Sequence, residues 1–322
     1  MTLIRLGYVA MSVHLPNSSP SHTMTFAHYN KLQDEEAARR KLVRIAMSNL
    51  ESCLRLLHYN LEHDIHFFRL SSRLIPLATH EALLGWNYLT PLEESFAKIR
   101  DFLRENRHVR VDFHPDHFVI LNSPKAGVLQ ASVDNLQVHL EMLQAFGLNP
   151  LHRCVLHVGG GYGNKEKALE QFVHNFAFIP EPIQSMLMLE NDDKVFTVQD
   201  TLYLCEKLGL PIIFDLHHHQ ANNDGQSWES NWERIVATWN TSALPLKMHI
   251  SSPKSPTNFR AHADYIEVTQ LHEFLQTVKG TVDQIDIMIE AKQKDDALFR
   301  LAQDLQGLPG YEKVNQASFL VR

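Results

Sequence analysis

Eight short apolar runs recur along this chain, and each of the last six ends on or beside a residue type that binds metal. The runs are LIRLGYVA (3–10), IHFFRL (65–70), VRVDF (109–113), CVLHV (154–158), SMLMLE (185–190), PIIFD (211–215), LKMHI (246–250) and IDIMIE (285–290). The six ends are His114, His157, Glu190, Asp215, His249 and Glu290. His, Asp and Glu are fewer than one in five of the 322 residues, so six matches in six depart strongly from chance.

Helical patterns separate the runs. One starts near Asp34, with Leu42, Ile45, Leu50, Leu54 and Leu57 at helical spacing. Another covers about 132–146 and stops at Gly147, and a third covers 165–177. Thr197 with Asp200 three residues on signals a helix start, and a further helix is expected over 227–239. Strand–helix alternation with no second composition regime predicts an α/β chain: a single (β/α)8 TIM barrel over 1–322. A doubly wound open sheet has the same alternation and stays in competition. The segment after about 305 carries no motif and is unassigned.

Active sites of such barrels lie at the C-terminal rim of the strands, where the six ligand types converge. Asp215 and His218 sit close enough to reach one ion. His262 follows the seventh strand, and His80 follows the second. The expected metal set is His80, His114, His157, Glu190, Asp215, His218, His249, His262 and Glu290. That number suits two or three divalent ions. Imidazole and carboxylate without thiolate favours Mn2+, Zn2+, Co2+ or Fe2+ over Mg2+ or Ca2+. Such ions lower the pKa of a bound water and clamp the oxygens of a phosphoester. Taken singly, each histidine is equally a hydrogen-bonded rim residue, and Glu190 or Glu290 a barrel-mouth ion pair. His217 and His219 are either exposed or support the ligands from behind. The run GGGYG (159–163) is either a phosphate cradle or a tight turn beside His157.

The three cysteines, Cys53, Cys154 and Cys205, are scattered, which points to a reducing compartment and away from a thiolate site. With no apolar run near the length of a membrane span and no signal pattern, a cytoplasmic protein is expected. The net charge of −7 does not advertise nucleic-acid binding, although ligand carboxylates are neutralised by their ions.

Eight segments in order, FRLSSRLIP (68–76), FHPDHF (113–118), LHVGGGYG (156–163), LENDD (189–193), FDLHHH (214–219), KMHISSP (247–253), HADYI (262–266) and IEAK (289–292), resemble the UV damage endonuclease family. A looser likeness to endonuclease IV and xylose-isomerase-like barrels follows. The resemblance implies a monomeric, metal-dependent enzyme, with Mn2+ the first choice. It would bind damaged double-stranded DNA and cut immediately 5′ to a photoproduct, leaving 3′-hydroxyl and 5′-phosphate. It places the nine residues above on metal positions, with Glu190, Glu290 and Lys247 closest to the chemistry. Lys247 matches a lysine that relatives carry in carboxylated form. His117 and Phe118 match a pair that enters the duplex opposite an extruded lesion. Relatives often carry Gln-Tyr there, so hydrogen-bond reading is expected to differ while wedging persists. Without the resemblance, Phe118 is as readily a core residue under its loop. Tyr8 matches a lesion-pocket tyrosine. Arg69, Arg73, Lys125, Lys165 and Arg260 are the local cations for phosphate contacts, each otherwise an ordinary solvated charge. The alternatives are an apurinic-site endonuclease, a sugar isomerase or epimerase, and a barrel that binds without catalysis.

Overall fold

The computed structural model describes residues 1–322. Its strands in chain order are β1 (Thr2–Val9), β2 (Phe67–Arg69), β3 (Arg110–Asp112), β4 (Cys154–His157), β5 (Leu187–Glu190), β6 (Ile212–Asp215), β7 (Leu246–Ile250), β8 (Pro253–Ser255), β9 (Asn258–His262), β10 (Gln284–Ile289), β11 (Tyr311–Lys313) and β12 (Ser318–Val321). Eight of these run parallel around a ring. β1 pairs with β2 and β10, β2 with β3, and β4 through β7 pair in sequence before β7 meets β10. A single parallel bridge, Phe113 to Cys154, joins β3 to β4 and closes the circle. The open doubly wound sheet is thereby excluded.

Helix starts follow local chemistry. Asp34 accepts from the Ala37 N–H and opens the helix Glu35–Glu62. Thr197 and Asp200 form a reciprocal capping box at the head of Val198–Leu208, and Gly209 ends that helix at φ +71°. The helix expected over 132–146 begins earlier, spanning Ala126–Ala145. The helix expected over 227–239 is a 3-10 turn, Glu229–Asn231, followed by Trp232–Thr238. A short helix, Leu216–Ala221, starts directly from the end of β6 and was hidden by its run of histidines. The unassigned segment after 305 finishes the helix Lys294–Gln306 and then forms the hairpin β11–β12. β12 lies antiparallel along the first half of β1, with Thr2 opposite Val321 and Arg5 opposite Ser318.

The outer face of the barrel packs against the helices through one continuous apolar core, including Ile4, Leu6, Val111, Phe113, Leu156, Leu189, Phe214, Met248 and Ile287. The interior carries charge. Strand alternation directs Arg5, Arg110, Asp112, Lys247 and Asp286 inward. Arg5 grips both Asp286 oxygens at 2.8 Å, and Arg110 reaches Asp286 and Asp112 at 3.0 Å each. Arg153 approaches Asp112 at 3.7 Å. Buried ions need such partners, because an unpaired one is strongly destabilising. No helix is long and apolar enough to cross a membrane.

Candidate metal centre and DNA-binding rim

The strand ends converge as their spacing predicts. His157, Glu190 and Asp215 are the last residues of β4, β5 and β6. His249 is next to last in β7, Glu290 follows β10, and His114 stands two residues past β3. Glu190 is the centre of the group. Its carboxylate lies 2.8 Å from His114 Nε2, 2.9 Å from His249 Nδ1, 3.4 Å from His218 Nδ1 and 3.8 Å from His157 Nε2. Glu290 lies 3.5 Å from His249 Nδ1 and 3.8 Å from His262 Nδ1.

Two clusters are compact enough to hold an ion: His114, His157 and Glu190, and Glu190, Asp215 and His218. Glu190 belongs to both. Ligand atoms sharing one ion at ~2.1 Å bond lengths stand roughly 3.0–3.4 Å apart, and the separations here bracket that range. The donor set also has spare capacity. Asp215 Oδ2, His157 Nδ1 and His249 Nε2 are buried without hydrogen-bond partners. The residues present therefore fit divalent ions.

Local structure holds the ligands in place. Asp215 caps the helix Leu216–Ala221 by accepting from the His218 N–H at 2.7 Å, which fixes both candidate ligands at one strand end. Asn191 pins the Asp215 backbone from both sides, accepting from its N–H at 2.9 Å and donating to its C=O at 3.0 Å. The Arg69 guanidinium is bound to Glu290 in the barrel mouth. His217 supports from behind, with Ser251 Oγ 2.6 Å from Nδ1 and the Phe259 carbonyl 2.8 Å from Nε2. It ties the β8–β9 hairpin, which carries Arg260 and His262, to the barrel.

Electrostatics follow from this crowding. Burial alone would raise the Glu190 carboxyl, but the adjacent imidazoles of His249 and His157 and the bonds from His114 and His249 hold it well below the usual range. Glu290 is likewise depressed, burial being outweighed by Arg69 and His249. Burial pushes His114 down to about 4, so it meets Glu190 as a neutral donor. His218 goes the other way: burial lowers it, yet Asp215, Glu190 and Glu290 together raise it to about 9. A site that concentrates this much negative charge around imidazole nitrogens attracts cations.

Lys247 is fully buried below His249. Its Nζ is 3.2 Å from Asp112 Oδ2, close enough for attraction but without the alignment of a hydrogen bond. Burial pushes it down to about 8, against the pull of Asp112 and with the repulsion of Arg110 and Arg69.

Other expected residues fall differently. His80 is in neither compact cluster. Its Nδ1 accepts from the Ala82 N–H at 3.2 Å, and its ring stacks on Phe26 at 3.9 Å. Tyr8 offers no surface to a lesion here. It faces outward from the barrel, wholly buried, with its ring 5.0 Å from Phe68 and its hydroxyl 2.7 Å from Asn60 Oδ1. Arg69 is committed to Glu290 and so is no free phosphate contact. Lys165 is held by Asp200 at 2.8 Å and Asp224 at 3.3 Å. Lys125 is exposed, and Arg73 and Arg260 are exposed with loose partners, Asp116 at 3.4 Å and Asp193 at 3.6 Å. Phe118 is no core residue: it is 58% exposed beside His117. The interior charges Arg110, Asp112 and Asp286 escaped the sequence reading. Their signal was charge at alternating positions inside apolar strands.

A family model described as UV-endonuclease UvdE matches residues 4–320. A UV DNA damage endonuclease of Halalkalibacterium halodurans is 48% identical over 303 residues, 94% of each chain. The crystal structure of SacUVDE superposes with a TM-score of 0.82 at 31% identity, covering 95% of this chain and all of that one. Endonuclease IV from Thermus thermophilus shares the fold, with a TM-score of 0.52 at 13% identity over 89% of this chain and 93% of its own.

Proposed function

This chain belongs to the UV-endonuclease UvdE family and is an endonuclease acting on UV-damaged DNA; we propose that it cuts the duplex immediately 5′ to a photoproduct, leaving a 3′-hydroxyl and a 5′-phosphate. The observation that carries the metal chemistry is Glu190, one carboxylate common to both candidate ion clusters. The ligand set is His114, His157, Glu190, Asp215, His218, His249, His262 and Glu290, serving two or three ions with Mn2+ preferred. When bound, the ions supply an acidified water and neutralise charge on the attacking and leaving oxygens.

The chain's own residues do the rest. Glu190 and Glu290 hold the centre together, and Arg69 fixes Glu290 from the side. Phe118 and His117 stand clear of the surface, where they can fill the gap left by an extruded lesion. Extrusion costs a few kcal/mol and costs least for a damaged, poorly stacked base, so distortion contributes selectivity. Lys125, Arg73 and Arg260 are the cations free to turn to phosphates. Lys247 in carboxylated form balances the interior. Four cationic side chains (Arg5, Arg110, Arg153 and Lys247) face two carboxylates (Asp112 and Asp286). Loss of one proton from the Lys247 ammonium, then addition of CO2 to the neutral amine with loss of a second proton, leaves three of each sign.

The test is scission of an end-labelled duplex carrying one photoproduct, with Mn2+ or with chelator, beside undamaged and abasic duplexes. Metal-dependent cutting 5′ to the photoproduct is expected. Cutting at the abasic site alone would transfer the site to the neighbouring repair chemistry.

A further inference from the structure

The glycine run after β4 has no part in the centre described above, and its geometry shows what it is shaped for. Gly159 has φ +119°, and a Cβ there would collide with Asn122 Oδ1 and approach Ile120 Cγ2 to 2.9 Å. At Gly160 a Cβ would lie 3.0 Å from the Cζ of Tyr162, so the tyrosine ring lies directly across that glycine. Tyr162 has φ +46°, a left-handed conformation that bulky side chains avoid, and yet it is 53% exposed. The turn bends to hold an aromatic ring at the surface, five residues beyond His157 on the catalytic rim.

The same turn is joined to the loop bearing Phe118. Buried Asn122 donates from Nδ2 to the Gly160 carbonyl at 2.8 Å, and its Oδ1 accepts from the Gly160 N–H at 3.2 Å. Asn175 fixes the strip from beneath by donating to the Leu121 and Ser123 carbonyls at 2.7 and 3.0 Å. One amide thus joins the two loops that carry the exposed rings Phe118 and Tyr162, which follow the strand ends of His114 and His157.

We infer that Tyr162 is a second DNA-contacting residue, which stacks its ring on a nucleobase of the damaged duplex while Phe118 fills the gap. The role rests on the endonuclease reading. Stacking on an aromatic ring is indifferent to base identity, as an enzyme that recognises distortion requires.

Single-turnover cleavage of a duplex with one cyclobutane dimer, measured against enzyme concentration, tests this with Tyr162→Ala, Tyr162→Phe and Tyr162→Trp. Loss of one base–aromatic stack predicts that Tyr162→Ala raises the half-saturating concentration about tenfold or more. The limiting rate falls far less, melting temperature holds, and Phe or Trp restores binding. Tyr162→Ala matching the wild type overturns the stacking role, as does Tyr162→Phe binding as poorly as Tyr162→Ala. A wild type that leaves the dimer-bearing duplex intact overturns the endonuclease reading as well.

Discussion

His139 gives a quantitative handle on acid sensitivity. It lies in the helix Ala126–Ala145 with its ring edge on Phe113, the residue that closes the barrel and precedes the proposed ligand His114. Its Nδ1 is 2.8 Å from the Asn135 carbonyl and its Nε2 is buried without a partner. Burial pushes its pKa from 6.5 down to about 4. The folded pKa is below the unfolded one, so between these values the unfolded chain binds the proton more tightly. The contribution to stability is whole above pH 6.5 and is lost as pH falls toward 4. A difference of about 2.5 units at ~1.4 kcal/mol each, nearly all expressed by pH 4, comes to about 3 kcal/mol. At ~2.1 cal/mol/K per residue, that is roughly 4 °C in melting temperature for a chain of this length. His139→Phe keeps a flat ring against Phe113 and removes the titration, while the helix still supplies the Asn135 carbonyl with its backbone donor. Melting temperatures of both proteins, chelated and scanned from pH 7 to pH 4, should diverge by that amount, the variant losing less. Parallel curves would refute the assignment of a buried, neutral imidazole.

Glu190→Gln alters the ligand common to both proposed clusters, so metal content by elemental analysis should fall and cleavage should drop by at least a hundredfold. Phe118→Ala alters an exposed side chain. It should leave melting unchanged and weaken binding to dimer-bearing duplex about tenfold or more in a titration, with little effect on undamaged duplex. Asp286→Asn strips the partner charge from buried Arg110 and half-buried Arg5 and should cost about 3–5 kcal/mol in denaturant unfolding. With 13C-bicarbonate, the protein should show a carbamate resonance that Lys247→Met lacks; its absence would leave Lys247 as an amine.

The barrel and the rim were legible because strand ends advertise themselves. An apolar run that stops on His157, Glu190 or Asp215 states both where the strand ends and what it presents there. Strand count was legible for the same reason, but closure was not, since it depends on one bridge between Phe113 and Cys154. Side-chain direction was the other obscure layer. Arg69 reads as a solvated cation until its guanidinium is seen on Glu290, and Tyr8 reads as a rim residue until strand alternation turns it to Asn60. His80 sits in a loop whose path is fixed by Phe26 and Ala82, contacts distant from any motif. The segment after 305 shows no ligand or turn motif because its role is backbone pairing, which many sequences can perform.

That pairing has a kinetic meaning. β1 is made first, but it stays without neighbours until β2 arrives on one side and β10 on the other, and part of its edge waits for residues 318–321. On the ribosome, the β1 edge therefore cannot be fully covered until residues 318–321 have left the exit tunnel. An edge left bare is a template for pairing with another chain. A premature stop near residue 310 would spare every proposed metal ligand and the proposed DNA-facing rim, yet it would yield a protein prone to joining its neighbours edge to edge.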